Sequence, residues 1–284
     1  MRRLTALEAA TNLEDTTYTD NSTGEEKTIT IPAETAVSQV EGENTLKDGL
    51  VIIDKNGNEW VWIEVPRTVE VYPTVGTELN VDNITDEQCS IIYDDLANYA
   101  TAYRDSNYSD TFYSGSGFNS EPEYNTAKNN MLRSVYKYGG FWIGRYEVGD
   151  ADATASNTTR TSSTGASNTA VIKANYIPYN LITCSQAQEL ATGLSTGGKT
   201  SSLMFGIQWD LTCKFLETKG GLTQEQIKTD SKEWGNYSNS TILLLQGKYN
   251  TNPISSASQW LDITQGPKNG TMLLTTGASE CKCQ

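Results

Sequence analysis

Histidine is absent from all 284 residues, and that absence removes whole classes of chemistry. Ser-His-Asp and Cys-His nucleophilic catalysis need an imidazole base, and the common zinc arrangements need imidazole ligands, so what remains is carboxylate, thiolate or backbone chemistry. The five cysteines, Cys89, Cys184, Cys213, Cys281 and Cys283, are odd in number and contain no CxxC pair. Neither a zinc ribbon nor a disulfide framework is supported. Cys184 and Cys213 fall on expected helices and read as small core residues.

Long hydrophobic runs are missing too. No stretch approaches the roughly 20 apolar residues of a membrane-spanning helix, and the start, Met-Arg-Arg-Leu-Thr-Ala-Leu-Glu, lacks the apolar core of a secretion signal. The expectation is no membrane span, and either no export by that route or a start that lies further upstream. Clustered positive charge is also lacking. Residues 1–130 hold 24 acids against 8 Lys or Arg, and residues 131–284 hold 11 against 13, within totals of 35 and 21 and a net charge of −14. A basic stripe able to neutralise a phosphate backbone is absent, which argues against a nucleic-acid partner, and the acidic half reads as a solvated face.

What is present is a polar chain of modest apolar content, 37% hydrophobic, in which Thr, Ser, Asn and Tyr stand where Lys and Glu fill a typical cytosolic surface. That composition points to an extracellular, cell-surface or virion setting. The chain is long enough for one large domain with decorations or two smaller ones.

Residues 1–30 are polar and Thr-rich and read as a mobile arm, with organised structure from Ile31. Leu50–Val65 contains two β runs around Asn56-Gly57, the sequence of a type I′ hairpin, so 31–66 reads as the N-terminal hairpin of the core. Thr85 and Gln88 suit a capping box ahead of Ile92, Leu96, Tyr99 and Tyr103, predicting a helix over 86–103. Ser-, Tyr- and Gly-rich residues 104–120 form a loop; Ser120 and Glu123 then repeat the capping pattern before Tyr124, Ala127, Met131 and Val135 on one helical face.

That second helix feeds Gly139–Gly149, Gly-Gly-Phe-Trp-Ile-Gly-Arg-Tyr-Glu-Val-Gly, which reads as a strand covered on both faces. Arg145 and Glu147 then need charge partners, each other or further groups. Residues 150–170 are of low complexity and form an exposed loop. Pro178 onward gives a short strand, then Thr183 and Gln186 cap a helix with Ala187, Leu190, Ala191 and Leu194 as its buried stripe. A last helix starts near Ile207, with Ile207, Leu211 and Phe215 in one row and Trp209, Cys213 and Leu216 in another, so wide an apolar arc that it implies a core helix.

Five blocks in this order carry a resemblance: Gly49–Asp54 with Glu59–Pro66, Gly139–Glu147, Tyr179–Ala187, Met204–Asp210 and Leu273–Glu280. Together they resemble bacterial and phage proteins with a formylglycine-generating-enzyme-type, or sulfatase-modifying-factor, domain. The resemblance spans roughly 45–66 and 135–280, with 67–134 a helical and loop insertion and 135–284 a partial family core. It implies an α+β fold like that of C-type lectins: a twisted, mostly antiparallel sheet with flanking helices and long loops, incomplete at the C-terminus.

Members continue past the Thr-Thr-Gly-Ala-Ser-Glu280 position into a Gly-Asn-Val-Trp-Glu-Trp-like segment, and those that oxidise cysteine hold their reactive cysteines and metal sites there. This chain instead reads Cys-Lys-Cys-Gln284, so no catalytic residue carries over. The lectin calcium motifs are absent as well, which leaves no metal or cofactor here and calcium only to a full-length relative. The expectation is a noncatalytic binding or display protein with a protein or glycan ligand. Truncated oxidase and inactive fragment are the alternatives. Loop aromatics Trp234, Tyr237, Tyr249 and Trp260, with Tyr108 and Tyr113, are the candidate contacts.

Overall fold

The Asn56-Gly57 hairpin is the centre of the fold. The structure, a computed structural model, describes residues 11–22, 24–46, 49–101, 103–104, 109–152, 169–174, 176–179 and 182–229, with three short strands at 248–250, 261–262 and 272–273. Strands β3 (Thr35–Val37), β4 (Val51–Asp54), β5 (Glu59–Glu64) and β6 (Gly140–Gly144) form one antiparallel sheet in the order β3-β4-β5-β6. The β4–β5 turn differs from the expected type I′. Ile53 pairs with Glu59, and Gly57 has φ 82° while Asn56 stays at negative φ. This is the geometry of a longer loop closed by a left-handed glycine. Asp54 selects it: its buried carboxylate accepts the N–H groups of Asn56 and Asn58 at 2.8 and 2.9 Å and Asn58 Nδ2 at 3.0 Å.

Alternation divides the sheet into two faces. Trp60, Trp62 and Ile52 share one face with Trp142, which lies directly opposite Trp62 with ring centroids 5.0 Å apart. The ribbon of β1 (Thr16–Asp20) and β2 (Lys27–Ile31) supplies Ile29 and Ile31 to the core on that face, alongside Leu46, Leu50 and Ile172. The expected mobile arm over 1–30 is therefore corrected from Thr16 onward: alternating Thr and Ile in 27–31 is a strand with one apolar face, and that face is buried.

The opposite face, with Ile63 and Phe141, is covered by helices α1 (Asp86–Ala100), α2 (Glu121–Tyr138) and α4 (Gly206–Thr218). Ile92, Leu96, Val135, Tyr136, Ile207 and Leu211 fill the space between, together with Val71 and Tyr72 from the connection after β5. Residues 67–134, expected as an insertion, thus supply most of the larger core cluster. Burying side chains of this size contributes about 1.5–3 kcal/mol each, so this stretch cannot be peripheral.

Helix boundaries follow their caps. Thr85 and Gln88 form the reciprocal capping box, but α1 stops at Ala100 because Thr101 turns left-handed at φ 55°. Ser120 caps α2, whereas Glu123 turns to Asn119 instead of closing the box. Thr183 and Gln186 close the box of α3 (Cys184–Gly193), and Thr223 with Gln226 close that of α5 (Gln224–Lys228).

The Gly139–Gly149 stretch is shorter and less interior than its composition suggests. β6 ends at Gly144 and is an edge strand of its sheet. The chain then bends, and β7 (Gly149–Asp150) pairs with β8 (Ala170–Val171) and β9 (Ile177–Pro178) in a separate small sheet. Residues 153–168 of the expected loop lie outside the described residues. Strands β10 (Lys248–Asn250), β11 (Leu261–Asp262) and β12 (Met272–Leu273) form a further antiparallel sheet in the order β11-β10-β12. The architecture is mixed α+β with antiparallel sheets, and no helix among the described residues is long and apolar enough to cross a membrane.

Candidate functional site

The amino-terminal end of α4 draws together three distant parts of the chain. Its N-cap position is Phe205, which has no side-chain oxygen to satisfy the first helical N–H groups. Asp110 does so from 96 residues away: Gly206 N–H and Ile207 N–H donate to its carboxylate at 2.6 and 2.9 Å. The negative charge also suits the positive end of the helix dipole. Phe205 is left free to pack, stacking on Phe118 at 6.4 Å and meeting Tyr124 edge-on at 5.5 Å.

Behind this cap lies a cluster of charged and phenolic groups. Arg104 donates through Nε and Nη2 to Asp210 at 2.9 and 2.8 Å and approaches Asp110 at 3.6 Å. Tyr93 donates to Asp110 at 3.1 Å, Tyr103 N–H donates to Asp210 at 3.2 Å, and the Tyr103 hydroxyl donates to Glu217. Burial alone would lower the Arg104 guanidinium, but Asp210 and Asp110 hold it above its ordinary value. Burial and the Asp110 charge both push the Tyr93 phenol up. Burial and Glu217 do the same to Tyr103. A permanently charged guanidinium locked between carboxylates and phenols that hold their protons organise structure rather than transfer protons.

Lys128 closes the other side. Its Nζ donates to the Asp110 carbonyl at 3.0 Å and lies over the Tyr93 and Tyr124 rings at 5.5 and 5.6 Å. The loop carrying Asp110 continues onto α3, where the Tyr113 hydroxyl donates to Cys184 Sγ at 3.1 Å. Gly117, at φ 88°, lies so close to α3 that a Cβ there would fall 2.5 Å from Gln188 Cβ. Gln188 in turn accepts Leu203 N–H at 3.0 Å, which ties the segment leading into α4 to the same helix.

Facing solvent around this junction are Tyr113 (56% exposed), Leu203 (36%), Met204 (38%) and Trp209 (51%). Two readings are corrected here. Trp209 belongs to no core row: α4 buries Ile207, Asp210, Leu211 and Cys213, so the outer edge of its wide apolar arc carries Trp209 into solvent. Cys184, expected as a core residue, is exposed at the first position of α3, whereas Cys213 is buried as expected.

A second charged cluster sits at the end of the central sheet. Arg145 Nη1 lies 2.8 Å from both Glu43 and Glu59, and Tyr146 donates to Glu59 at 3.3 Å. Glu147 is exposed and is not the partner of Arg145. Of the aromatic contacts expected from sequence, Tyr113 is an exposed loop residue. Tyr249 lies in β10, paired with Leu261 and Leu273, and not in a loop. Tyr108, Trp234, Tyr237 and Trp260 lie outside the described residues. Among the described residues no group of three or more Cys, Asp and Glu side chains is arranged to hold a metal ion.

No family model matches this chain, and neither the characterised proteins nor the solved structures contain a match.

Proposed function

We propose that this chain is a noncatalytic ligand-binding or display protein of a cell surface or phage particle, built on a formylglycine-generating-type scaffold with a C-type-lectin-like fold and taking a protein or glycan ligand. The observation that carries the reading is the exposure of four large apolar side chains, Tyr113, Leu203, Met204 and Trp209, on segments that hydrogen bonds join: loop 109–118 to α3 through Tyr113 and Cys184, and the approach to α4 to α3 through Leu203 and Gln188. Large apolar side chains concentrated on one exposed surface mark recognition sites, and aromatic side chains bring contact area at low entropic cost. The mutual pairing of Arg104, Asp110 and Asp210 supports a rigid platform beneath that surface. The polar, Thr- and Ser-rich composition supports the extracellular or virion setting.

The test is saturable binding of the immobilised chain to a glycan array and to intact bacterial cells, run in parallel with a Trp209→Ala variant. Binding that the substitution abolishes supports the proposal. No binding, or binding equal in the two proteins, refutes it.

A further inference from the structure

We infer that the partner at the Tyr113–Trp209 surface is a protein segment whose apolar side chains are rimmed by lysine and arginine; this rests on the binding reading above. Two observations carry it.

The first is charge. On loop 109–118, the first turn of α2, α3 and α4, the exposed charged side chains are Glu121, Glu123 and Glu189; Lys137 is exposed only at the far end of α2, paired with Asp82, and Lys214 on α4 pairs with Glu217. The neighbouring cations are engaged: Lys128 with the Asp110 carbonyl and the Tyr93 and Tyr124 rings, Lys199 with Asp15 at 2.5 Å. Arg104 is held by Asp210 and Asp110. The rim is therefore acidic, within a chain of net charge −14. A cationic rim on the partner is drawn toward it and held in register, while an acidic partner is repelled.

The second is the side chains. Leucine and methionine beside tyrosine and tryptophan match the core of a protein interface, where aromatic residues and Met are enriched. Met204 adds a flexible, polarisable surface that adapts to aliphatic groups. Trp209 and Tyr113, half-exposed on supports fixed by Asp110 and Gln188, are the anchors expected to dominate affinity.

The experiment is isothermal titration calorimetry of the full chain with two synthetic amphipathic peptides of one pattern, one of leucine and lysine and one of leucine and glutamate. Wild type is compared with Trp209→Ala and with the Glu121→Gln, Glu189→Gln double variant, at low and high salt. The expected result is that the lysine peptide binds, about tenfold more weakly to Trp209→Ala, and that the double variant loses much of the salt dependence. Equal or tighter binding of the glutamate peptide, still dependent on Trp209, overturns the cationic rim and leaves the binding surface standing. Binding of either peptide that ignores Trp209, or no binding of both, overturns the surface itself as a peptide site. A concentration-dependent dimer abolished by Trp209→Ala makes a second copy of this chain the occupant and overturns the inference.

Discussion

The carboxylate of Asp110 accepts the backbone N–H of Gly206 at 2.6 Å and so performs, from a loop, the capping that Phe205 cannot. Removing that carboxylate leaves two helical donors unsatisfied and weakens the pairing of Arg104. Asp110→Ala is expected to lower the unfolding free energy by about 2–3 kcal/mol, and Asp110→Asn by about half of that, because the amide keeps one acceptor. Urea unfolding of both variants checks this. Equal losses would show that charge, not hydrogen bonding, is what matters at this position.

Arg145 spans Glu43 and Glu59 at 2.8 Å each. Arg145→Ala leaves two adjoining, mostly buried carboxylates without their cation, and the expected loss is about 3 kcal/mol. Arg145→Lys is expected to recover only part of it, since a compact ammonium does not reproduce the planar fork. Thermal unfolding reads the difference, and full recovery by lysine would show that the site needs only a point charge.

Tyr72 is fully buried, and its hydroxyl has no hydrogen-bond partner among the described residues. Its ring packs edge-on against Tyr136 at 4.9 Å. Tyr72→Phe keeps that ring contact and deletes a desolvated hydroxyl, so stability is expected to stay level or rise by about 1 kcal/mol. A loss of that size in chemical denaturation would instead reveal a hydrogen bond made by the hydroxyl.

Asp20 gives the chain a specific acid sensitivity. Burial pushes its carboxyl up, but Ser22 Oγ, Leu46 N–H and Ser22 N–H donate to it and hold it below its ordinary 3.8. A carboxyl depressed in the folded state contributes stability above the unfolded value and loses it as pH falls through the folded one. The urea midpoint is therefore expected to fall between about pH 5 and pH 3, and Asp20→Asn to flatten that part of the profile while costing stability at neutral pH. An unchanged slope in the variant would move the acid sensitivity to other carboxylates.

How far the sequence could be read depended on the range of each interaction. The capping boxes at Thr85 and Thr183 and the β4–β5 pairing were legible because their partners lie within a few residues. The hairpin turn was misread because Asp54, whose carboxylate collects the loop N–H groups, outweighs the Asn-Gly preference for a two-residue turn. The ribbon at β1 and β2 was hidden by its threonines: only Ile29 and Ile31 are apolar in β2, and their burial depends on Trp60 and Trp62 arriving from the central sheet. Trp209 was hidden by its own hydrophobicity, since residue type says that an arc is apolar and not which edge of it the tertiary packing leaves uncovered. Arg104 and Asp110 could not be paired with α4 in advance, because nothing local in either segment encodes a partner about a hundred residues away.

Gly117 tests whether the exposed surface depends on how its loop is seated. At φ 88° the backbone is in the left-handed region, and a Cβ would stand 2.5 Å from Gln188 Cβ and 3.1 Å from Ser185 Cα. Gly117→Ala must therefore either strain the loop or lift it from α3, at an expected cost of about 1–3 kcal/mol. Lifting it would also separate Tyr113 from Cys184, now 3.1 Å apart, and leave the thiol less covered. The expected outcome is a lower melting temperature together with faster labelling of Cys184 by a thiol reagent, resolved from other cysteines by peptide mapping. Loss of stability with unchanged labelling would place the strain inside the loop and leave its contact with α3 intact.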